Sequence, residues 1–344
     1  MASRTLPAAV TLALLATAPT GPAQAQDPAT FYKGRTVQAV VGYPPGSTFE
    51  LYLRVYARHV GRHIPGNPTV IIQHMPGAGS LTATTWLAAV APKDGSAFGM
   101  PNPVNTIEPL LDPARTKFDA RQFSWIGNLN TEISTCSFWA KDIKTLDDMR
   151  KREVTVGSTG PASGSTIDAV VLGSLLGLKI KVVTGYRVLT DIKLAAERGE
   201  VDGFCGLLVS ALKTDYATEW KSGRISVPIQ MGLAKHPDIP NVPNAFDIVK
   251  SDEDKALFRL IFGPWAYGRP IFAPPGIPAD RLAALRAAFK ATLTDPEFVA
   301  EANKLNMEIN PTDGDKIVPI IESVLATPEP VVERARKLLG VDKR

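Results

Sequence analysis

At 344 residues the chain is long enough for two domains of ordinary size, each able to bury its own core. Its 44% hydrophobic and 21% charged residues match the globular average and exclude both a disordered chain and a multi-span membrane protein. A formal charge of +4, dispersed along the chain, does not make a nucleic-acid surface.

The first 25 residues read as a secretory signal peptide. Arg4 precedes the small and apolar run from Leu6 to Ala18, and Ala23, Gln24 and Ala25 supply an A-x-A cleavage signature. A membrane anchor needs about 18 uninterrupted apolar residues, and Pro7, Pro19 and Pro22 break this stretch. Cleavage starts the mature chain near Gln26 and lowers the formal charge from +4 to +3, because Arg4 is the only charged residue removed.

From there strand and helix patterns alternate. "TVQAVVGY" is a β-branched run, followed by Phe49, Tyr52, Leu53, Tyr56 and Val60 at helical spacing. "TVIIQHM" predicts a second strand and "LTATTWLAAVA" a helix halted at Pro92; "SAFGM" predicts a third strand. After residues 112–122 the pattern restarts. "FSWIGNL" and "STCSFWA" are strand-like, Leu146 to Arg150 a short helix, and "EVTVGS" a strand. A helix carrying Ile167, Val170, Val171, Leu175 and Leu178, the strand "KIKVVTGY", a helix over 190–198 and the strand "VDGFCGL" follow. The tail offers the proline-rich strand region "GPWAYGRPIFAPPGIP", a helix with the stripe Leu282, Leu285 and Phe289, and two short helices near 296–304 and 313–325. Such alternation predicts two α/β units built on parallel sheets. Cys136 and Cys205 both fall in strand-like contexts, and in a secreted chain they are either one disulfide or a pair of buried thiols.

In open parallel sheets ligands bind beyond the carboxyl ends of the strands, where loops hand over to helix N-termini. Three such loops, "YPPGST" (43–48), "MPGAGS" (75–80) and "STGPASGST" (158–166), are rich in Gly, Pro, Ser and Thr and poor in charge. Backbone N–H groups at helix starts favour an anion, and glycines permit close approach. Together these loops predict one cleft lined by backbone donors and hydroxyls.

Catalytic readings lack residues. "GPASGST" has no lysine where a phosphate loop needs one. His59 and His63 are four apart but no glutamate follows His59, and they read as an exposed helix end. No G-x-S-x-G elbow occurs, and His74 and His236 are the remaining histidines, so a secreted hydrolase has no visible triad. Glu197, Glu200 and Asp202 read as a solvated helix end and turn. No cofactor or metal is expected.

With these loops in place the chain resembles the substrate-binding proteins of tripartite tricarboxylate transporters, the Bug or TctC-like family. The resemblance runs over the whole mature chain, through "VVGYPPGS", "VIIQHMPGAGS", "VAPKDGSAFGM", "VTVGSTGPASGST", "VVTGYRVLTDIKLAAERGEVDGFCG" and "FAPPGIPADRLAALRAAF" in that order. It implies the type II periplasmic-binding fold: two α/β lobes joined by crossovers and hinged over a cleft. Domain I would hold 26–129 and 265–344, and domain II 130–264. The implied function is a monomeric receptor in a Gram-negative periplasm that hands a small di-, tri- or aromatic carboxylate to a membrane permease. A carboxylate sensor docking on a signalling partner would use the same fold.

Carried over by position, the resemblance implies a ligand set of Tyr43, Pro45, Gly46, Ser47 and Thr48 in the first loop and Gly77, Ala78 and Gly79 in the second. Asn102 and Asn105 lie in the third, and Ser158, Thr159, Ser163, Ser165 and Thr166 at the domain II helix start. Thr184, Gly185, Tyr186 and Arg187 complete the far wall. Where relatives carry further glycines and an aspartate in the first loop, this chain has Ser47, Thr48, Phe49 and Glu50. Arg187 either clamps a second carboxylate or points to solvent. Tyr43 and Tyr186 are placed to flank an aromatic ring.

Overall fold

The computed structural model describes residues 27–161 and 163–341, so the expected signal peptide lies outside the described residues. After helix α1 (Pro28–Tyr32), strand β1 (Thr36–Val41) leads into α2 (Thr48–Val60). Ser47 caps α2 by accepting from the Glu50 N–H, and Tyr52, Leu53, Tyr56 and Val60 form its buried stripe. β2 (Thr69–His74), α3 (Leu81–Ala89), β3 (Ala97–Met100), α4 (Glu108–Leu111) and β4 (Ser124–Asn128) complete the first passage through this lobe.

Residues 129–133 cross to the second lobe. There β5 (Ser134–Phe138), α5 (Leu146–Lys151), β6 (Val154–Ser158), α6 (Gly164–Leu176), β7 (Ile180–Thr184), α7 (Leu189–Glu197) and β8 (Gly203–Leu208) follow. Next come α8 (Val209–Lys213), α9 (Ala217–Lys221), β9 (Ser226–Met231), α10 (Ala245–Ile248) and α11 (Asp252–Phe262). The chain returns through 263–269 to β10 (Pro270–Ala273), then α12 (Ala279–Leu293), α13 (Pro296–Lys304), β11 (Thr312–Asp313), α14 (Gly314–Leu325) and α15 (Glu329–Leu339).

Each lobe has one sheet, ordered β11-β4-β10-β3-β1-β2 in the first and β7-β6-β8-β5-β9 in the second. The expectation of parallel sheets is corrected: both are mixed. β1 is parallel to β2 and β3, but β10 is antiparallel to β3 and β4, and β5 is antiparallel to β8 and β9. The reason is connectivity. β1–β3 run toward the other lobe, and a strand arriving from that lobe must run the opposite way. β5 and β10 are these arriving strands.

Cys136 and Cys205 face each other across the β5–β8 pair and are joined in a disulfide. The main buried core runs without a break from Tyr52 and Tyr56 of α2 to Val171 and Leu172 of α6 and Phe258 of α11. α15, a helix beyond those the pattern predicts, packs on α4 of the first lobe and on α6 and α11.

The histidine pair also differs from expectation. His59 is buried, and its Nε2 lies 2.7 Å from Glu301 on α13; His63 lies 2.7 Å from Asp295. The end of α2 is therefore packed against the start and body of α13 through histidine–carboxylate contacts and is not a free helix end. Asp202 is likewise engaged, accepting from Arg152 and from the Thr155 N–H at 2.7–2.9 Å.

Candidate functional site

Because β1, β2 and β3 are parallel, the loops that follow them emerge at one end of the first sheet, and their residues bond to each other. Gly42 allows the close approach: a Cβ there would lie 1.7 Å from the Ser80 hydroxyl oxygen. That hydroxyl accepts from the Asn102 N–H at 3.1 Å, and Asn102 Nδ2 donates to the Tyr43 hydroxyl at 2.8 Å. Asn105 Nδ2 donates to Thr84 Oγ1 at 2.9 Å and to the Gly79 carbonyl at 3.3 Å. The second loop is the most contorted, with Gly77, Ala78, Gly79 and Ser80 all at positive φ (144°, 46°, 64° and 76°). For Ala78 and Ser80 this is a costly conformation, of the kind that persists where surrounding contacts enforce it.

In the first loop Pro45 and Gly46 are exposed, Ser47 is spent on capping, and Thr48 is buried. The Tyr43 ring stacks on Phe49 at 4.7 Å, and burial pushes its hydroxyl up to about 12 against the opposing effects of Asn102 and Arg269. Glu50 turns back over the helix start: Oε2 accepts from the Gly46 N–H at 3.4 Å, and Oε1 pairs with Arg54 at 2.9 Å.

The second lobe presents a hydroxyl cluster at the junction of β6 and α6. Ser158 Oγ lies 2.9 Å from Ser163 Oγ, 3.0 Å from Ser165 Oγ and 2.5 Å from Thr166 Oγ1. The Thr159 N–H donates to Ser165 Oγ at 3.3 Å, and Ser163 makes no side-chain cap to the helix it precedes. β7 runs beside β6 with Thr184 opposite Ser158. Gly185 follows at φ +112°, and the Tyr186 ring, with Ile192, closes over Gly157. Arg187 takes the outward alternative: its side chain is 87% exposed and pairs with Asp191 at 3.0 Å. Tyr43 has one ring face covered by Phe49 of its own lobe, and Tyr186 packs against the apolar cluster of its lobe that includes Ile192.

The two lobes meet along this edge. Thr48 Oγ1 donates to Asp215 Oδ2 of the second lobe at 2.5 Å. Ala78 and Leu81 face Pro161 and Ile167 across a cavity of about 50 Å³. Deeper in, Arg269 is fully buried; its Nε donates to Glu132 and its Nη2 to Ser210 Oγ, both at 2.8 Å, and its guanidinium lies over the rings of Phe49 (4.1 Å) and Tyr52 (4.7 Å). Among the described residues Arg269 Nη1 has no hydrogen-bond partner. Glu308 meets His236 at 3.2 Å and Lys213 at 3.5 Å. Burial alone would push the Glu308 carboxyl up, but the His236 bond and the charges of His236 and Lys213 bring it below the usual range.

The nineteen positions implied by the resemblance thus divide. The loop residues 43, 45–48, 77–79, 102 and 105 lie together in the first lobe, the Ser158–Thr166 group lies in the second with Thr184, Gly185 and Tyr186 beside it, and Arg187 is turned away. Glu132, Ser210, Asp215, Arg269 and Glu308 were not among them. Arg269, alone between Gly268 and Pro270 in an otherwise apolar strand entry, carried the one readable signal, since a buried charge needs a partner. His236, Asp238 and Glu308 bring three ligand-type atoms within 4.8 Å of one another. The Lys213 ammonium already sits against Asp238 and Glu308, and that charge takes the place a cation would fill.

No family model and no curated protein matches the chain. Solved structures do. A TctC solute-binding protein from Polaromonas superposes with a TM-score of 0.63 at 16% identity, over 91% of this chain and 100% of that one. The periplasmic binding protein BugD gives 0.66 at 18% identity over 89% and 98%. MatC from Rhodopseudomonas palustris, solved with bound malate, gives 0.62 at 19% over 89% and 99%. The chain therefore has the two-lobed fold of these solute-binding proteins.

Proposed function

We propose that this protein is a periplasmic receptor that closes its lobes on a small organic carboxylate and delivers it to the membrane permease of a tripartite tricarboxylate-type transporter. The observation that carries this reading is the Ser158–Ser163–Ser165–Thr166 cluster at the start of α6, set across the lobe boundary from the strained second loop. Hydroxyls and helix-start N–H groups, with no charged side chain among them, suit a carboxylate held by fixed dipoles. The bound malate of MatC, a protein of the same fold, supports the ligand class. No helix among the described residues is long and apolar enough to cross a membrane, which fits a receptor that works beside a separate permease.

A thermal-shift screen of mono-, di- and tricarboxylates against the mature chain tests the proposal. A ligand at 100 times its dissociation constant adds about 2.7 kcal/mol of stability, a rise of several degrees in melting temperature. If every acid leaves the melting temperature unchanged, the receptor reading fails.

A further inference from the structure

Besides the crossovers at 129–133 and 263–269, the chain passes from one side of the lobe boundary to the other once more near its end. α14 packs on β4 of the first lobe, whereas α15, reached through residues 326–328, packs on α6 and α11. Val331, Val332 and Ala335 of α15 are buried in the same core as Val171 and Leu172 of α6 and Phe258 of α11. Arg334 adds ion pairs to the first turn of α11, with Asp254 at 2.7 Å and Glu253 at 3.1 Å. The 265–344 segment therefore ends against helices of the 130–264 segment.

Toward the first lobe the attachment is of another kind. α15 meets α4 there, and two N–H groups of Arg336, Nε at 2.8 Å and Nη2 at 2.6 Å, donate to the Leu110 carbonyl in α4. α4 is only 4 residues long, so that carbonyl has no partner within its own helix. Glu329, one end of α15 away, holds Arg336 Nη1 at 2.6 Å and orients the guanidinium. α11 touches Pro103–Ile107 of the first lobe in the same region. Past Arg336, Leu339 and Val341 line the cavity at the lobe boundary, with Ala78 and Leu81 on one side and Pro161 and Ile167 on the other.

We infer that α15 is a strap over the lobe boundary: it moves with the second lobe and clips to the first through Arg336, so that the cleft opens only when Arg336 releases Leu110. The polar side is the one that yields. Hydrogen bonds from a partly exposed guanidinium can be exchanged for bonds to water, whereas the buried apolar face of α15 cannot leave its core without a net cost. From the receptor reading the inference takes only that the lobes hinge. Hydrogen bonds made by a charged group are strong enough that losing them should raise the ratio of open to closed molecules about ten-fold or more.

The test is double electron–electron resonance on the mature chain with spin labels, taken in pairs, at three exposed positions: Ala283→Cys in the first lobe, Lys181→Cys in the second and Lys337→Cys on α15. Each pair is measured in the parent and in Arg336→Met, which keeps an apolar stem and removes both donors. The expected result is that Arg336→Met lengthens the distances from 283 to 181 and from 283 to 337 together, the ratio of the long to the short component rising about ten-fold or more, while the distance from 181 to 337 stays as it was. No change in any of the three pairs, or a lengthened distance from 181 to 337, overturns the inference. If Arg336→Met does not fold, Arg336→Lys, whose single ammonium cannot make both bonds, is read in the same way. The carboxylate screen uses unlabelled protein, so failure of the strap leaves the receptor reading standing on that screen, and failure of the screen leaves the three distances to decide the strap.

Discussion

Arg269 and Glu132 form an ion pair at 2.8 Å whose side chains are 0% and 1% exposed, and each sits on a different one of the two crossovers between the lobes. The pair therefore ties the outgoing and returning chains to each other at the base of the cleft. The Arg269 N–H groups also reach Ser210 and the side-chain oxygen of Asn128. Charges this deep are costly alone, so breaking the pair should cost more than removing it. We expect Glu132→Gln or Arg269→Leu to lower unfolding free energy by about 3–5 kcal/mol, and the double variant Glu132→Leu/Arg269→Met to lose less than the worse single variant. Urea denaturation of the four proteins measures this, and a double variant that is the least stable of them would contradict it.

The disulfide from Cys136 to Cys205 closes a loop of 69 residues in sequence separation and fastens β5, the strand that arrives from the first lobe, to β8. By loop entropy such a link contributes about 4 kcal/mol. Reduction, or the Cys136→Ala/Cys205→Ala pair, should lower the unfolding free energy by that amount, read as a lower guanidinium midpoint. Two alkylatable thiols in the unreduced, unfolded protein would show that no bridge had formed.

Asp168 is 1% exposed, and burial pushes its carboxyl up to about 7 despite the bond from Ser134. In the folded protein it holds a proton that the unfolded chain, with a value of 3.8, gives up first. Between 3.8 and about 7 the native state binds more protons, so stability falls as pH rises through that window. The slope is on the order of 1.4 kcal/mol per pH unit at its steepest. Asp168→Asn, which keeps an acceptor for Ser134, should flatten this dependence and be more stable than the parent at pH 8. Parallel pH–stability curves would count against a protonated Asp168.

Gly42 has no room for a side chain because Ser80 occupies that space. Gly42→Ala should cost about 1–3 kcal/mol by overpacking. Adding Ser80→Gly removes the clashing hydroxyl and relieves the positive φ at that position, so the double variant should recover part of the loss. Equal stability of Gly42→Ala and the parent, read from thermal melts, would mean that the first two loops are not locked together.

Much of the frame was legible in the sequence because each of β1, β2 and β6 is a short run rich in β-branched residues followed closely by glycine, proline and hydroxyl residues. That local signature names both the strand and the loop at its end. Strand direction carries no such mark, and β10 could not be told from a parallel strand until its entry from the other lobe was known. From sequence no element is assigned to residues 209–262, and α8, β9 and α11 emerge in the fold, although α11 carries a buried stripe of Leu257, Phe258, Ile261 and Phe262. His59 looked solvent-facing because its partner, Glu301, lies 242 residues away. Arg187 was ambiguous for the opposite reason: its partner, Asp191, is one helical turn ahead, and both a clamp and a surface pair fit that spacing. The polar residues that join the lobes were the hardest to find, since each has meaning only opposite a residue from a distant segment.

Ser210, Lys213 and Asp215 reach Arg269, Glu308 and Thr48 from α8 and the turn after it. Three contacts rooted in six consecutive residues cannot loosen one at a time without bending that short segment, which makes them a single catch in any separation of the lobes. If the lobes close as proposed, substitutions in this one small stretch would alter how firmly they hold together, with the hydroxyl-lined wall left untouched.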